Sequence, residues 1–263
     1  NNENCGISKG NNQGIKKSLE YDFKYTLLLN NDIYFDEKCL EFSIDFAEKN
    51  KVDALVPKIY YAGTNKIWMA GGKLSKLKGT TYHRGELEID NGQYDKTEIT
   101  EYAPTCYMLI NNDIFREIGL MDEIYFVYYD DTDFVFRMNK KGYKITYLPQ
   151  VLVHHMVSFS TGGGESDFSI YQGNKNRVIF IKKNFSFLFK IIKEYMFKNV
   201  ELLNIKQITQ KDLVKKDEFE DLTLGDKIKE LDLLLSNNSE TFESKLRELF
   251  ISCNMLFSGV RSI

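Results

Sequence analysis

The chain has 263 residues and a mass of 30.7 kDa, enough for one large or two modest domains with a buried core. A content of 43% hydrophobic and 28% charged residues excludes wholesale disorder, and a net charge of −3 argues against a broad nucleic-acid-binding surface. The cysteines lie far apart at positions 5, 39, 106 and 253, which fits neither a zinc knuckle nor a disulfide framework and indicates a reducing compartment.

Residues 1–183 show strand and helix patterns in alternation. Apolar runs predict strands over 25–29, 54–60, 105–110, 143–148 and 151–155. Helices are predicted over 15–19, 36–50, 112–119 and 130–141, with a glycine- and asparagine-rich loop over 4–14 and short strands and loops over 63–103. Pro57 favours a position near the edge of the sheet for its strand. This alternation predicts an α/β fold with its ligand loops at strand ends.

Residues 184–263 have a different character. Apolar side chains recur there at helical spacing, at Ile228, Leu231 and Leu235 and again from Phe242 to Cys253. The pattern predicts a helical C-terminal region that packs on the domain or forms a homodimer. Peripheral association with a membrane surface is the alternative.

Two acidic segments are candidates for chemistry. Asn30, Asn31 and Asp32 follow the predicted strand 25–29 directly, at the sheet edge where α/β folds bind ligands, although the same residues also make a good turn. Asp130 and Asp131 begin a predicted helix. Clustered carboxylates suit a general base beside a metal site, and an ordinary acidic helix start is the alternative.

Two of the three histidines, His154 and His155, end a predicted strand and precede the glycine run 162–164. Adjacent strand residues point to opposite faces, so at most one of the two faces a given site. A metal ligand or a phosphate contact is one interpretation, and a structural histidine is the other.

Several segments, in order, resemble the family 2 glycosyltransferases, especially their rhamnosyltransferase-like branch. The resemblance covers residues 1–183 and rests on the spaced Gly and Asn residues of 4–15, LLLNND at 27–32, IWMAGG at 67–72, TCYMLI at 105–110, GLMDE at 119–123, YYDDTD at 128–133, GYKI at 142–145 and the His-His pair after Pro149. Each motif is weak alone, and the ordered set is specific.

The resemblance implies a GT-A fold, a Rossmann-like mixed sheet flanked by helices, followed by the helical C-terminal region. It also implies sugar transfer from a nucleotide-sugar donor to an acceptor hydroxyl, with inversion and with Mg²⁺ or Mn²⁺. Asp32 and His155 match the family's metal-binding residues and Asp131 matches its general base, beside Asp130 where most relatives have Glu. The implied donor-binding residues are Gly10, Asn11, Asn12, Asn30, Asn31, Gly71, Gly72 and Arg177, the last in a pair with Asn176 that matches a helix start. The implied acceptor-binding residues are Tyr129, Asp130 and Cys106.

Members of the family that this chain resembles begin with a strand and an acidic turn that bind the nucleotide base, whereas this chain begins at the 4–14 segment. The expectation is an N-terminally incomplete GT-A domain over 1–183. The predicted activity is transfer to a cell-surface polysaccharide or lipid-linked glycan, in the cytoplasm or at the inner face of the cell membrane. The alternatives are a non-catalytic nucleotide-sugar or glycan-binding module and a metal-dependent hydrolase.

Overall fold

The computed structural model describes residues 3–76, 78–156 and 166–185. The chain divides into two compact units, Asn1–Ser75 with Gly79–Phe180, and Lys76–Lys78 with Ile181–Ile263. Almost all of the second unit, and with it the predicted helical region 184–263, lies outside the described residues. None of the helices in the described ranges is long and apolar enough to cross a bilayer.

The described residues form five helices and nine strands. The helices are α1 (Ile7–Glu20), α2 (Glu37–Asn50), α3 (Asn112–Ile118), α4 (Asp130–Lys141) and α5 (Asp167–Asn184). The strands are β1 (Tyr25–Leu29), β2 (Ile33–Phe35), β3 (Ala54–Tyr61), β4 (Ile67–Met69), β5 (Gly72–Ser75), β6 (Thr80–His83), β7 (Glu98–Thr100), β8 (Tyr107–Asn111) and β9 (Ile145–His155).

Seven strands form one mixed sheet with the order β1-β8-β3-β9-β2, while β4 pairs with β3 and β7 with β9. Strands β3 and β9 are parallel, and β1 and β3 are both antiparallel to β8. The carboxyl ends of β1, β3 and β9 therefore lie at the same edge of the sheet. This edge is where ligands bind in open α/β sheets.

Strand β3 lies in the middle of the sheet, so the prediction of an edge position from Pro57 is wrong. The register with β9 shifts immediately after Pro57, which pairs with Leu148, whereas Lys58 pairs with Leu152. Pro149 lies inside that bulge, and β9 continues through it as one strand rather than two. Neither Pro57 nor Pro149 can donate a backbone hydrogen bond to a neighbouring strand, and both lie where the regular pairing of β3 with β9 is interrupted.

Helix α1 replaces much of the loop predicted over 4–14. Ser8, Asn12 and Ile15 recur at helical spacing and are buried, so one face of the helix packs inward. Gly10 has no neighbouring atom within 4 Å of where a Cβ would stand. Packing of the buried stripe therefore outweighs the low helix propensity of the Gly and Asn residues.

The predicted ends of the other helices are close to the observed ones. The Asp36 side chain caps α2 by accepting a hydrogen bond from the Lys38 N–H, at 2.8 Å. Gly142 ends α4 in the left-handed conformation, with φ of 95°. Asn111, one residue earlier than predicted, caps α3.

Candidate active site

Asp32, Cys106 and His155 meet at the carboxyl edge of the parallel strands. Asp32 lies between β1 and β2, and His155 is the last residue of β9. The Asn30 N–H donates to the carbonyl oxygen of Cys106, just before β8, at 2.9 Å. The sheet topology thus brings together residues more than 100 positions apart in the sequence.

The carboxylate of Asp32 faces the imidazole of His155. The distance from His155 Nε2 to Asp32 Oδ1 is 3.2 Å, with both side chains largely buried. Within the described ranges, Asp32 Oδ1 and His155 Nδ1 are buried without a hydrogen-bond partner. Burial lowers the pKa of His155 below its usual value, although the Asp32 carboxylate opposes the shift. His155 is therefore neutral near pH 7, the form that binds metals.

The Asp32–His155 pair fits a divalent cation. Two ligands at right angles, each about 2.1 Å from an ion, lie about 3.0 Å apart, close to the observed separation. A carboxylate oxygen suits Mg²⁺ and Mn²⁺, whereas a neutral imidazole suits transition metals, so the mixed pair favours Mn²⁺. Among the residues that the structure describes, no group of three His, Cys, Asp or Glu side chains could hold a metal ion. The other coordination positions would fall to a ligand or to water.

Asp131 lies in the first turn of α4 and is half-buried. Its Oδ2 accepts a hydrogen bond from the Tyr102 hydroxyl at 2.6 Å, and its Oδ1 accepts one from the Thr132 N–H at 2.6 Å. Burial, aided by the charge of Asp131, holds the pKa of Tyr102 well above its usual range. Tyr102 therefore remains a hydroxyl donor that orients the Asp131 carboxylate.

The neighbouring carboxyl group of Asp130 is buried, with 5% of the residue exposed. Burial and the adjacent Asp131 raise the pKa of Asp130 to about 8. Asp130 thus keeps its proton near neutral pH, and the two adjacent acids differ in environment.

Trp68 and His83 connect the Asp32–His155 pair with Asp131, and sequence reasoning missed both as site residues. The Trp68 ring lies 4.5 Å from the His155 ring and 4.6 Å from the His83 ring. The His83 ring in turn stacks on the Tyr102 ring, with 6.0 Å between the centroids. The Tyr102 hydroxyl donates the hydrogen bond to Asp131. Trp68 lies in the IWMAGG motif at 67–72, and the scarcity of histidine, with three in the chain, is the signal that singles out His83.

Cys106 lies close to both acidic groups. Burial raises the pKa of its thiol, and the charges of Asp131 and Asp32 raise it further. The structure thus brings together Asp32, Cys106, Asp131 and His155, four of the residues singled out in the sequence.

The predicted donor-binding residues of the N-terminal segment lie on α1, where the side chains of Asn11 and Asn12 contact the rest of the protein. The Asn12 amide donates to the Met121 carbonyl and to Glu123, both at 2.9 Å, and its oxygen accepts from the Met121 N–H at 3.0 Å. The Asn11 amide contacts the Met121 sulfur at 3.4 Å, and Gly10 faces open space. The segment predicted to be a donor-binding loop is therefore a helix that supports the segment before α4.

Close packing explains why glycine occupies positions 71 and 72 (Gly71 and Gly72). A Cβ at Gly71 would stand 2.7 Å from Thr100 Oγ1, and one at Gly72 would collide with the Tyr82 carbonyl oxygen. Gly71 also has a φ of 80°, which favours glycine. The two glycines let β5 approach its neighbours.

The remaining predicted residues lie near the same edge or on α5. Asn30 is half-buried and Asn31 is exposed beside Asp32. Arg177 lies in the middle of α5 rather than at a helix start, so that part of the prediction is wrong. Burial raises the pKa of Tyr129 and the charge of Arg177 opposes it, while the Tyr129 hydroxyl donates to the Gly79 carbonyl at 2.8 Å. The glycine run 162–164 lies outside the described residues.

Replacing Asp130 with asparagine is expected to change how stability depends on pH. Between about pH 4, the ordinary pKa of Asp, and about pH 8, the unfolded chain loses the proton that folded Asp130 retains. Because of this group, the free energy of unfolding of the native protein falls by about 1.4 kcal/mol for each unit of pH in this range. Asparagine does not titrate, so the Asp130→Asn variant lacks this fall. Urea unfolding at pH 4 and pH 8 should show the variant gaining stability over wild type at the higher pH.

The matched control for this measurement is Asp113→Asn, which changes an exposed carboxylate in the first turn of α3. A stability difference between Asp130→Asn and wild type that is equal at both pH values would contradict the prediction.

Comparison with known proteins supports the fold. No family model matches the chain. It is 24% identical over 185 residues to the low-salt glycan biosynthesis hexosyltransferase Agl10 of Haloferax volcanii, covering 70% of this chain and 59% of the relative's length. The crystal structure of GalNAc-T7 with UDP, GalNAc and Mn²⁺ superposes with a TM-score of 0.51 and 13% identity, over 69% of this chain and 35% of that one. The predicted fold class is confirmed, because a mixed sheet flanked by helices is shared with a GT-A glycosyltransferase.

Proposed function

We propose that the chain carries the catalytic site of an inverting, metal-dependent glycosyltransferase that moves a sugar from a nucleotide-sugar donor to a hydroxyl of a glycan or lipid-linked acceptor. The observation that carries the proposal is the chain of contacts from the Asp32–His155 pair through Trp68 and His83 to Asp131. The similarity to a protein named a hexosyltransferase and the fold shared with a UDP- and Mn²⁺-bound structure support it.

The donor would bind at the Asp32 end of the site. Asp32 and neutral His155 would hold a divalent cation, which when bound supplies positive charge to the diphosphate leaving group. Asn30 and Asn31 lie beside Asp32 and are proposed donor contacts. Trp68 and His83 would form the wall along which the sugar lies, since their rings connect His155 with the Tyr102–Asp131 pair.

Asp131 is the proposed general base. As the acceptor oxygen forms its bond to the anomeric carbon, the bond from that carbon to the diphosphate oxygen breaks, and the hydroxyl proton passes to the Asp131 carboxylate. Attack from the face opposite the leaving group inverts the anomeric configuration. Tyr102 keeps the carboxylate oriented, and Asp130 holds its own proton, which limits the negative charge of the acidic pair.

The proposed acceptor is a cell-surface polysaccharide or lipid-linked glycan, in keeping with the relative's role in glycan biosynthesis. Acceptor contacts are proposed at Tyr129, Asp130 and Cys106, which flank or face Asp131. A cytoplasmic location, with peripheral membrane association or homodimerisation through the C-terminal region, is part of the same proposal.

The test is turnover with a panel of nucleotide sugars in the presence of Mn²⁺ and simple glycoside acceptors. We expect one donor to release its nucleoside diphosphate with formation of a glycosylated acceptor, and chelation by EDTA to stop the reaction. Donor binding without turnover would instead favour a non-catalytic binding module, and release of free sugar without any acceptor would favour a hydrolase.

A further inference from the structure

The segment just before Asp130 has an unfavourable backbone conformation. Tyr128 and Tyr129 are consecutive and both have positive φ values, 63° and 68°. Residues with a Cβ disfavour this left-handed region, and two such residues in a row persist only where the surroundings hold them. Neither residue is glycine or asparagine, so tertiary contacts must stabilise this backbone conformation.

Asn176 of α5 supplies such contacts. Its side chain is buried, with 1% of the residue exposed. The amide Nδ2 donates to the carbonyl oxygens of Val127 at 2.8 Å and Tyr128 at 3.0 Å. Both amide hydrogens are thereby used on two successive peptide groups of the turn, which fixes the orientation of each. The hydroxyls of Tyr128 and Ser169 form a further bond from α5, at 2.8 Å.

The turn determines where α4 begins. Tyr129 is the residue before the helix, and its carbonyl oxygen accepts the Asp133 N–H at 2.9 Å. Asp130 and Asp131 follow Tyr129 directly, so a change in the peptide planes of the turn would rotate their side chains. Asp131 must keep its oxygen 2.6 Å from the Tyr102 hydroxyl to remain oriented.

We propose that Asn176 is a positioning residue that holds the Tyr128–Tyr129 turn and through it orients the carboxylate of Asp131. The proposal rests on the proposed function, because it treats Asp131 as the base that receives the acceptor proton. Asn176 would touch neither substrate nor metal, and its effect would be on the rate of transfer rather than on donor binding.

The matched control is Asn112. It is also fully buried, and its Nδ2 donates to the Phe23 carbonyl at 2.7 Å and to Ser18 Oγ at 3.0 Å. Asn112 follows the carboxyl end of β8, whereas Cys106 precedes its start, so the control lies at the opposite edge of the sheet. Asn112→Ala removes these two bonds and the one that Asn112 Oδ1 accepts from the Thr26 hydroxyl at 2.6 Å, without touching the turn.

In steady-state kinetics with the active donor and acceptor, Asn176→Ala is expected to lower kcat by about 10- to 100-fold, as misplacement of a reacting group does. The KM for the donor should stay within about twofold of the wild-type value, since the groups that bind the donor are unchanged. Asn176→Asp should show the same loss, because it keeps the shape and has no N–H to donate. Asn112→Ala should keep kcat near that of wild type.

Hydrogen exchange measured by mass spectrometry provides a readout that needs no turnover. Amides of residues 125–133 should exchange faster in Asn176→Ala than in wild type and should be unchanged in Asn112→Ala. If one Asn176 variant fails to fold, the other serves in both measurements.

Three results would overturn the proposal: unchanged exchange over 125–133, an equal fall in kcat for Asn112→Ala, or a rise in donor KM with kcat unchanged. Absence of turnover in the wild-type protein with every donor would count against the proposed function alone. The exchange measurement would still decide whether Asn176 holds the turn.

Discussion

Replacing Asp131 with asparagine is expected to lower the rate of sugar transfer by about 10²- to 10⁴-fold, the usual cost of losing a general base. Asparagine has nearly the same shape, and its amide oxygen can still accept the hydrogen bond from Tyr102. It cannot take up the proton of the acceptor hydroxyl. Affinity for the donor should hardly change, because the Asp32–His155 pair is untouched.

Turnover of the Asp131→Asn variant should be measured beside donor affinity by calorimetry. Asp113→Asn is the control, since it makes the same chemical change in the first turn of another helix. Retention of more than about half of wild-type turnover by Asp131→Asn would show that the base is a different group.

Loss of either member of the Asp32–His155 pair is expected to weaken Mn²⁺-dependent binding of a nucleoside diphosphate by at least about tenfold. Removal of groups that merely orient a metal ligand already costs 10- to 100-fold in metal affinity, so removal of a ligand should cost no less. Asp32→Ala and His155→Ala each delete one of two donor atoms that lie 3.2 Å apart. Calorimetric titration of a nucleoside diphosphate with and without Mn²⁺ measures the effect.

His154→Ala is the matched control, because it removes the same side chain one position earlier in β9. The His154 ring stacks on Tyr60 at 5.4 Å, whereas the His155 ring contacts Trp68 and Asp32. Its replacement should have little effect on binding. Equal losses for the two histidine variants would disprove the assignment of His155 as the metal ligand.

The parts of the site that sequence reasoning found are those with a local signal. Asp32 directly follows an apolar run of strand length, and Asp131 begins a helix whose end at Gly142 is visible in the sequence. Strand alternation separates His154 from His155 without knowledge of the fold. In each case the information lies within a few neighbouring residues.

The parts that were missed depend on distant partners. The buried face of α1 includes the polar residues Ser8 and Asn12, and these become favourable inside only because Tyr125 and Met121 supply partners. His83 reaches Trp68 and Tyr102 through the pairing of β5 with β6 and of the segments around them. The bulge beside Pro57 lies in a partner strand more than 90 residues later. No local pattern carries such information.

The contacts between α1 and the segment before α4 bear on the order of events in folding. The Ile7 N–H donates to the Phe126 carbonyl at 2.7 Å and the Ser8 hydroxyl to the Tyr125 carbonyl at 2.8 Å. These contacts join residues nearly 120 positions apart, and contacts of such high sequence separation form slowly because a long loop must close first. We therefore expect the docking of α1 on the segment before α4 to be among the slower steps of folding. A ribosome must also have synthesised residues 121–126 before α1 has this surface on which to dock.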